Sequence, residues 1–213
     1  MTQAGQTGEI AAPRGLLAPY HVVPNFLEPD RLAALLDFAA RHEAEFEPTG
    51  VVGRTRPGPD PNIRRSTGLR QLGEFRPLLR ARLLDLAPAL IAELRLSPFE
   101  VSKVELELVA HGDGAYYKRH IDTATARDEA HMRVLSGVYY FHREPCAFSG
   151  GALRLYAIGD NARFVDIEPV CNTLLVFPAW APHEVMPVSV PSRRFADSRF
   201  AVNCWLKQRR RTV

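Results

Sequence analysis

Cysteine is scarce in this chain of 213 residues, with only Cys146, Cys171 and Cys204. They are widely spaced, odd in number and show no CxxC or CxxH pattern. Neither a disulfide framework nor a structural zinc site is therefore expected. Long apolar runs are missing too, which excludes a membrane-spanning helix. No internal repeat and no linker-like shift in composition is visible, so one compact domain is expected. Charge of one sign is not in large excess either. The net charge is +3 at pH 7, much of it in the closing KQRRRTV. No aromatic residues interleave with those basic ones, and no apparatus for stacking an extruded base is visible. A nucleic-acid partner is thus not expected, and the tail reads as solvated. Residues 1–14 are small and polar, lack the apolar core of a secretory signal and are expected to be disordered. The sparse, unpaired cysteines suit a reducing compartment, so the expected location is cytoplasmic. Oligomeric state is not legible.

What is present is a set of potential metal ligands in order. His120-x-Asp122 is followed much later by His183, in FPAWAPHEV. Two imidazoles and one carboxylate on one face of a metal leave three coordination positions open. That facial triad suits Fe(II), a bidentate cosubstrate and O2. His-x-Asp alone is weak, because chance triplets are common. The sequence between the ligands carries more weight. VLSGVYYF, SGGALRLY, RFVDIEPV and NTLLVFPAW are short runs rich in β-branched and aromatic residues, each bounded by Gly, Asn, Asp or Pro. Such runs at this spacing predict a β-barrel or jelly roll, with the ligands on strand ends and loops. Arg199 opens a further strand-like run, RFAVNCWL, where a buried guanidinium could grip a dicarboxylate.

Residues 102–207 resemble the prolyl-hydroxylase branch of the Fe(II)/2-oxoglutarate dioxygenases. The matching pieces are YYKRHID, VYYF, SGGALRLY, DIEPVCNTLLVF, PHEVMPV and RFAVNCW, in the family's order. The likeness is to the oxygen-sensing prolyl hydroxylases and their small bacterial relatives. It implies a mainly β fold with flanking α-helices, a double-stranded β-helix of the jelly-roll, cupin-like kind. It implies His120, Asp122 and His183 as iron ligands, and Arg199 and Tyr140 at the far carboxylate of 2-oxoglutarate. Leu153 would be an apolar wall of that pocket, and Trp205 would stand where the family places an aromatic. Fe(II), 2-oxoglutarate and O2 are the implied cofactors, with ascorbate as a candidate reductant. The implied activity is hydroxylation of an unactivated C–H bond, giving succinate and CO2 as coproducts. A prolyl or other residue of a peptide or protein is the implied substrate. A free amino acid or small natural product is the enzymatic alternative, and a non-catalytic metal- or 2-oxoglutarate-binding barrel is the alternative of another class.

Two departures from the family stand out. Ala110 occupies the place where a tyrosine is frequent before the HxD loop. The segment between His183 and Arg199 is also lengthened by VPSRRFADS, which makes Arg193 and Arg194 rivals for the carboxylate role. Tyr139 competes with Tyr140, since strand alternation turns only one of them inward. Leu153, Val176 and Phe177 are the expected apolar surroundings of the site. His21, His42, His111, His131 and His142 read as structural or solvated, with His111 in a turn and His131 in a loop. No second metal site is expected.

Residues 15–101 read as helical support and a lid loop, 102–207 as the β-helix core, and 208–213 as a basic tail. PYHVVPNFL is a predicted strand. EPDRLAALLDFAARHEAEF is a predicted helix, with Pro29 early and Leu32, Leu35, Leu36 and Ala39 on one face. Residues 51–68 form a predicted long loop, a candidate lid whose Arg54, Arg56, Arg64 and Arg65 face an acidic substrate or plain solvent. A second helix is predicted from about Glu74 to Leu94, kinked or interrupted at Pro88.

Overall fold

The structure, a computed structural model, describes residues 15–50, 58–123 and 130–210. The expectations placed on residues 1–14, on 51–57 with Arg54 and Arg56, on 124–129 and on 211–213 lie outside the described residues. In chain order come β1 (His21–Val23), α1 (Pro29–Arg41), β2 (Glu47–Pro48), β3 (Arg64–Arg65), β4 (Thr67–Leu69) and α2 (Phe75–Glu93). Then follow β5 (Lys103–His111), β6 (Tyr116–His120), β7 (His131–Phe141), β8 (Ser149–Gly150), β9 (Leu153–Ala157) and β10 (Asp160–Ile167). The last are β11 (Thr173–Pro178), β12 (His183–Val185), β13 (Val188–Ser189) and β14 (Arg199–Arg209).

The strands form a seven-stranded sheet, in the order β1-β11-β7-β14-β5-β4-β2, and a five-stranded sheet, β10-β9-β12-β6-β3. Every registered pair is antiparallel, and β8 and β13 form a small separate pair. Two antiparallel sheets with helices on one of them make the jelly roll that the strand grammar predicted. The large sheet is covered on both faces, so its strands read as nearly continuous apolar runs. Alternation still sorts them. Leu106, Tyr139, Phe141, Val176, Phe200 and Val202 pack outward with Leu79, Leu83 and Leu90 of α2 and Leu35 of α1. Val138, Tyr140, Leu175, Phe177 and Ala201 face inward, against Leu153 and Leu155 of the small sheet.

Several local expectations give way to tertiary context. α2 runs unbroken through Pro88. Pro88 is exposed, so the carbonyl one turn earlier can turn to water, while Leu83, Ala87, Leu90 and Ile91 hold the inner face on the sheet. The end of the predicted 51–68 loop is strand. β3 extends the small sheet by pairing with β6, and β4 extends the large one by pairing with β5. His131 begins β7 and pairs with Arg209, the last residue of β14. β14 therefore reaches into the stretch read as a basic tail. No helix among the described residues is long and apolar enough to cross a membrane.

Candidate metal centre

His120 is the last residue of β6 and His183 the first of β12, and the two are direct cross-strand partners. Their rings lie 4.2 Å apart. Asp122 follows two residues beyond the end of β6. Its backbone N–H donates to the Ala179 carbonyl (2.9 Å), which turns the loop back toward the start of β12. The three side chains converge, with ligand atoms all within 4.8 Å of one another. His120 Nε2 stands 3.6 Å from Asp122 Oδ1, and His183 Nε2 stands 3.7 Å from Oδ2.

Each imidazole is oriented from behind. His120 Nδ1 meets the Lys118 carbonyl at 2.8 Å, and His183 Nδ1 meets the Ala181 carbonyl at 2.9 Å. A proton on Nδ1 donates to that carbonyl and leaves Nε2 with its lone pair facing the cluster. Tyr117 stacks on His120 (3.5 Å between centroids), and Phe177 abuts His183 (4.7 Å). Asp122 Oδ2 accepts from Ser136 Oγ (2.7 Å) and from the Trp205 indole N–H (2.8 Å). Oδ1 is left as the less committed donor atom. Trp205 thus bonds to a carboxylate of the cluster, a contact its place in the sequence did not announce. Arg133 lies over the Trp205 ring at 3.8 Å and bonds to Glu105 at 2.8 Å, so the indole is clamped.

The charges agree with a cation site. Burial lowers the pKa of His120, and the neighbouring His183 adds to the effect, so the ring stays neutral and able to ligate. Burial alone would raise Asp122. The two imidazoles and the Trp205 and Ser136 hydrogen bonds outweigh it and hold the carboxyl below its usual range.

A second buried group lies between the sheets. Arg199 is 1 % exposed, at the start of β14. Its guanidinium sits 4.7 Å from the centre of the Tyr140 ring. Nη1 meets His111 Nδ1 at 3.2 Å, but Nε, Nη2 and the Tyr140 hydroxyl have no hydrogen-bond partner. Among the described residues no carboxylate pairs with this cation. Burial pulls the guanidinium below its usual range and pushes the Tyr140 phenol up to about 12, against the pull of the arginine. A buried cation with two idle nitrogens beside an idle phenol is a cradle for an anion. Leu153, wholly buried, belongs to the same inner cluster as Tyr140. A cavity of about 450 Å³, lined in part by Tyr140, Ile167, Thr173 and Leu175, opens beside this phenol.

The alternatives left by the sequence differ in where their side chains face. Tyr140 faces Arg199, whereas Tyr139 faces the helices and donates to Asn172 (2.9 Å). The side chains of Arg193 and Arg194 are 83 % and 70 % exposed and lie beside Asp113 and Asp197. Ala110 faces the outer core, so the position noted as a departure does not reach Arg199. His111, expected in a turn, instead ends β5, buried against Arg199. Burial and the charges of Arg199 and Arg64 hold its pKa well below the usual imidazole value, so it faces the arginine as a neutral acceptor. Val176 turns to the helices, and of the expected apolar neighbours only Leu153 and Phe177 face inward. Arg64 is spent on Glu107 (3.3 Å) and on the face of Tyr117.

Comparisons with known proteins agree with this geometry. Residues 106–207 match the model of the 2OG-Fe(II) oxygenase superfamily. An uncharacterized PKHD-type hydroxylase of Synechocystis sp. is 35% identical over 199 residues, which is 89% of this chain and 63% of that protein. The chain therefore spans less than two thirds of that relative's length. A prolyl-4-hydroxylase of Pseudomonas putida superposes with a TM-score of 0.64 at 25% identity, covering 90% of this chain and 93% of that one. A prolyl hydroxylase of Trichoplax adhaerens, in complex with a hypoxia inducible factor peptide fragment, gives 0.65 at 23% identity, covering 89% and 83%.

Proposed function

The chain belongs to the 2OG-Fe(II) oxygenase superfamily, and from that premise we propose that it is a dioxygenase hydroxylating an unactivated C–H bond of a peptide or protein, with a prolyl residue as the favoured target. One observation carries the reading. The His120–Asp122–His183 cluster shares its barrel with a buried arginine that keeps two guanidinium nitrogens unbonded and a tyrosine whose hydroxyl is unbonded too.

His120, Asp122 and His183 would hold Fe(II) from one side and leave its other positions free. Arg199 and Tyr140 would bind the far carboxylate of 2-oxoglutarate, the arginine by charge and fork geometry and the phenol as a donor. When bound, the iron and the cosubstrate supply the O2 chemistry that yields succinate, CO2 and a hydroxylated product. The chain's own residues position and shield it. Trp205 and Ser136 fix the Asp122 carboxylate, while the Lys118 and Ala181 carbonyls fix the two imidazoles. Leu153, Phe177 and Ala201 keep the space between the sheets apolar.

The peptide reading draws support from the Trichoplax prolyl hydroxylase, which was seen with a peptide fragment bound. To test it, the protein is supplied with Fe(II), 2-oxoglutarate and air, together with proline-containing peptides or free amino acids. Mass spectrometry follows the gain of one oxygen atom, and succinate is counted against it. Oxygen gained by a peptide in step with succinate, and lost in Asp122→Ala, is the expected result. Oxygen gained only by free amino acids would move the substrate to the small-molecule class. Succinate formed equally by Asp122→Ala would contradict the reading altogether.

A further inference from the structure

Between Asp122 and His183 along the chain, a second set of side chains gathers where β7 ends and β11 begins. Thr173 pairs with Tyr140 in the antiparallel register, and continuing that register past both strand ends sets Cys171 opposite His142. The Cys171 thiol donates to the His142 carbonyl at 3.3 Å. The chain leaving β7 then carries Glu144 back, and His142 Nδ1 stands 3.6 Å from its carboxylate. One ligand atom from each of His142, Glu144 and Cys171 lies within 4.8 Å of the others. All three cysteines are free.

The two clusters differ in chemistry. The first offers only nitrogen and oxygen. The second adds sulfur to an imidazole and a carboxylate, a donor set suited to a borderline-soft tetrahedral ion. His142 is buried and braced edge-on by Phe148 (5.0 Å), while Glu144 is exposed and supplies access from solvent. We propose that His142, Glu144 and Cys171 form a second metal site, for a divalent ion of the zinc class, with water as the fourth ligand. Burial raises the Cys171 thiol above its usual range, so binding would release its proton to solvent as the metal–sulfur bond forms. Nδ1 of His142, now 2.9 Å from the Arg143 carbonyl, would exchange that contact for the metal if it is the ligating nitrogen. A bound ion would tie the β7–β8 connection to the start of β11, two residues from Tyr140. The inference does not depend on the proposed activity.

Cobalt(II) separates the two sites, because only a thiolate ligand gives sulfur-to-metal charge-transfer absorption in the near ultraviolet. The metal-free full chain is titrated with Co(II), beside Asp122→Ala and Cys171→Ser. The expected result is a saturable near-ultraviolet band in the wild type that persists in Asp122→Ala and vanishes in Cys171→Ser. No band in the wild type at saturating Co(II), or an undiminished band in Cys171→Ser, would overturn the proposal. Should Cys171→Ser fail to fold, alkylation of the wild type by iodoacetamide decides instead. Zn(II) should protect Cys171 from labelling, and equal labelling with and without Zn(II) would overturn the site.

Discussion

Trp205 stands where it would serve a bound metal without touching it. Its indole N–H holds Asp122 Oδ2 at 2.8 Å, and Arg133 lies flat against its ring. Trp205→Phe keeps most of the apolar volume and removes the donor. Losing such an orienting bond typically weakens metal binding by roughly 10- to 100-fold. Fe(II) affinity measured anaerobically should fall by that order while the fold persists; unchanged affinity would leave the bond without consequence. His111 is the second instance. Its folded-state pKa lies below the ordinary 6.5, so the folded protein resists a proton that the unfolded chain accepts. Its contribution to stability is thus complete above about pH 6.5 and is lost as the pH falls from there toward the folded value. The loss is at most about 1.4 kcal/mol per pH unit. Urea midpoints of His111→Gln should fall less steeply below that pH than those of the wild type. Identical slopes would mean that His111 does not titrate in this way. Neither residue's partner was legible in the sequence. HGDG reads as a turn, and only the barrel's closure sets His111 against Arg199.

At the scale of elements, the bend into β9 makes room for the arginine. Gly151 has φ +73°, and a Cβ built there would lie 2.5 Å from Arg199 Cδ and 2.9 Å from Val188 Cγ2. Gly151→Ala must displace the arginine or the backbone, at a cost of about 2 kcal/mol or more. The expected outcome is a lower urea midpoint together with a marked rise in the 2-oxoglutarate concentration needed for half-saturation. A stable variant with unchanged cosubstrate demand would contradict the packing. The strands of the core were legible because period-two alternation and turn residues mark them directly. The helices were legible from their apolar faces, although of the kink or interruption expected at Pro88 the interruption is not found. The stretch at residues 64–68 was misread as loop. Its short strands owe their existence to β5 and β6 and not to any propensity of their own.

At the scale of the whole molecule, one barrel brings together residues scattered from His111 to Trp205. Order along the chain and resemblance to a family sufficed to propose His120, Asp122, His183, Arg199 and Tyr140, which the fold brings into one barrel. Sequence alone could not choose Tyr140 over Tyr139, or Arg199 over Arg193 and Arg194, because facing is a property of the closed sheets. The cluster at His142 and Cys171 escaped for the same reason, since strand register and not spacing makes them neighbours.

The triad and the buried Arg199, with its two unbonded nitrogens, are proposed to form one cosubstrate site. The most direct measurement is anaerobic: Fe(II) and then 2-oxoglutarate are added to metal-free protein, and the weak visible absorption of an iron-bound keto acid is followed. The absorption is expected in the wild type, absent in Asp122→Ala, and reached in Arg199→Ala only at much higher 2-oxoglutarate. No absorption in wild-type protein shown to hold Fe(II) would contradict the account.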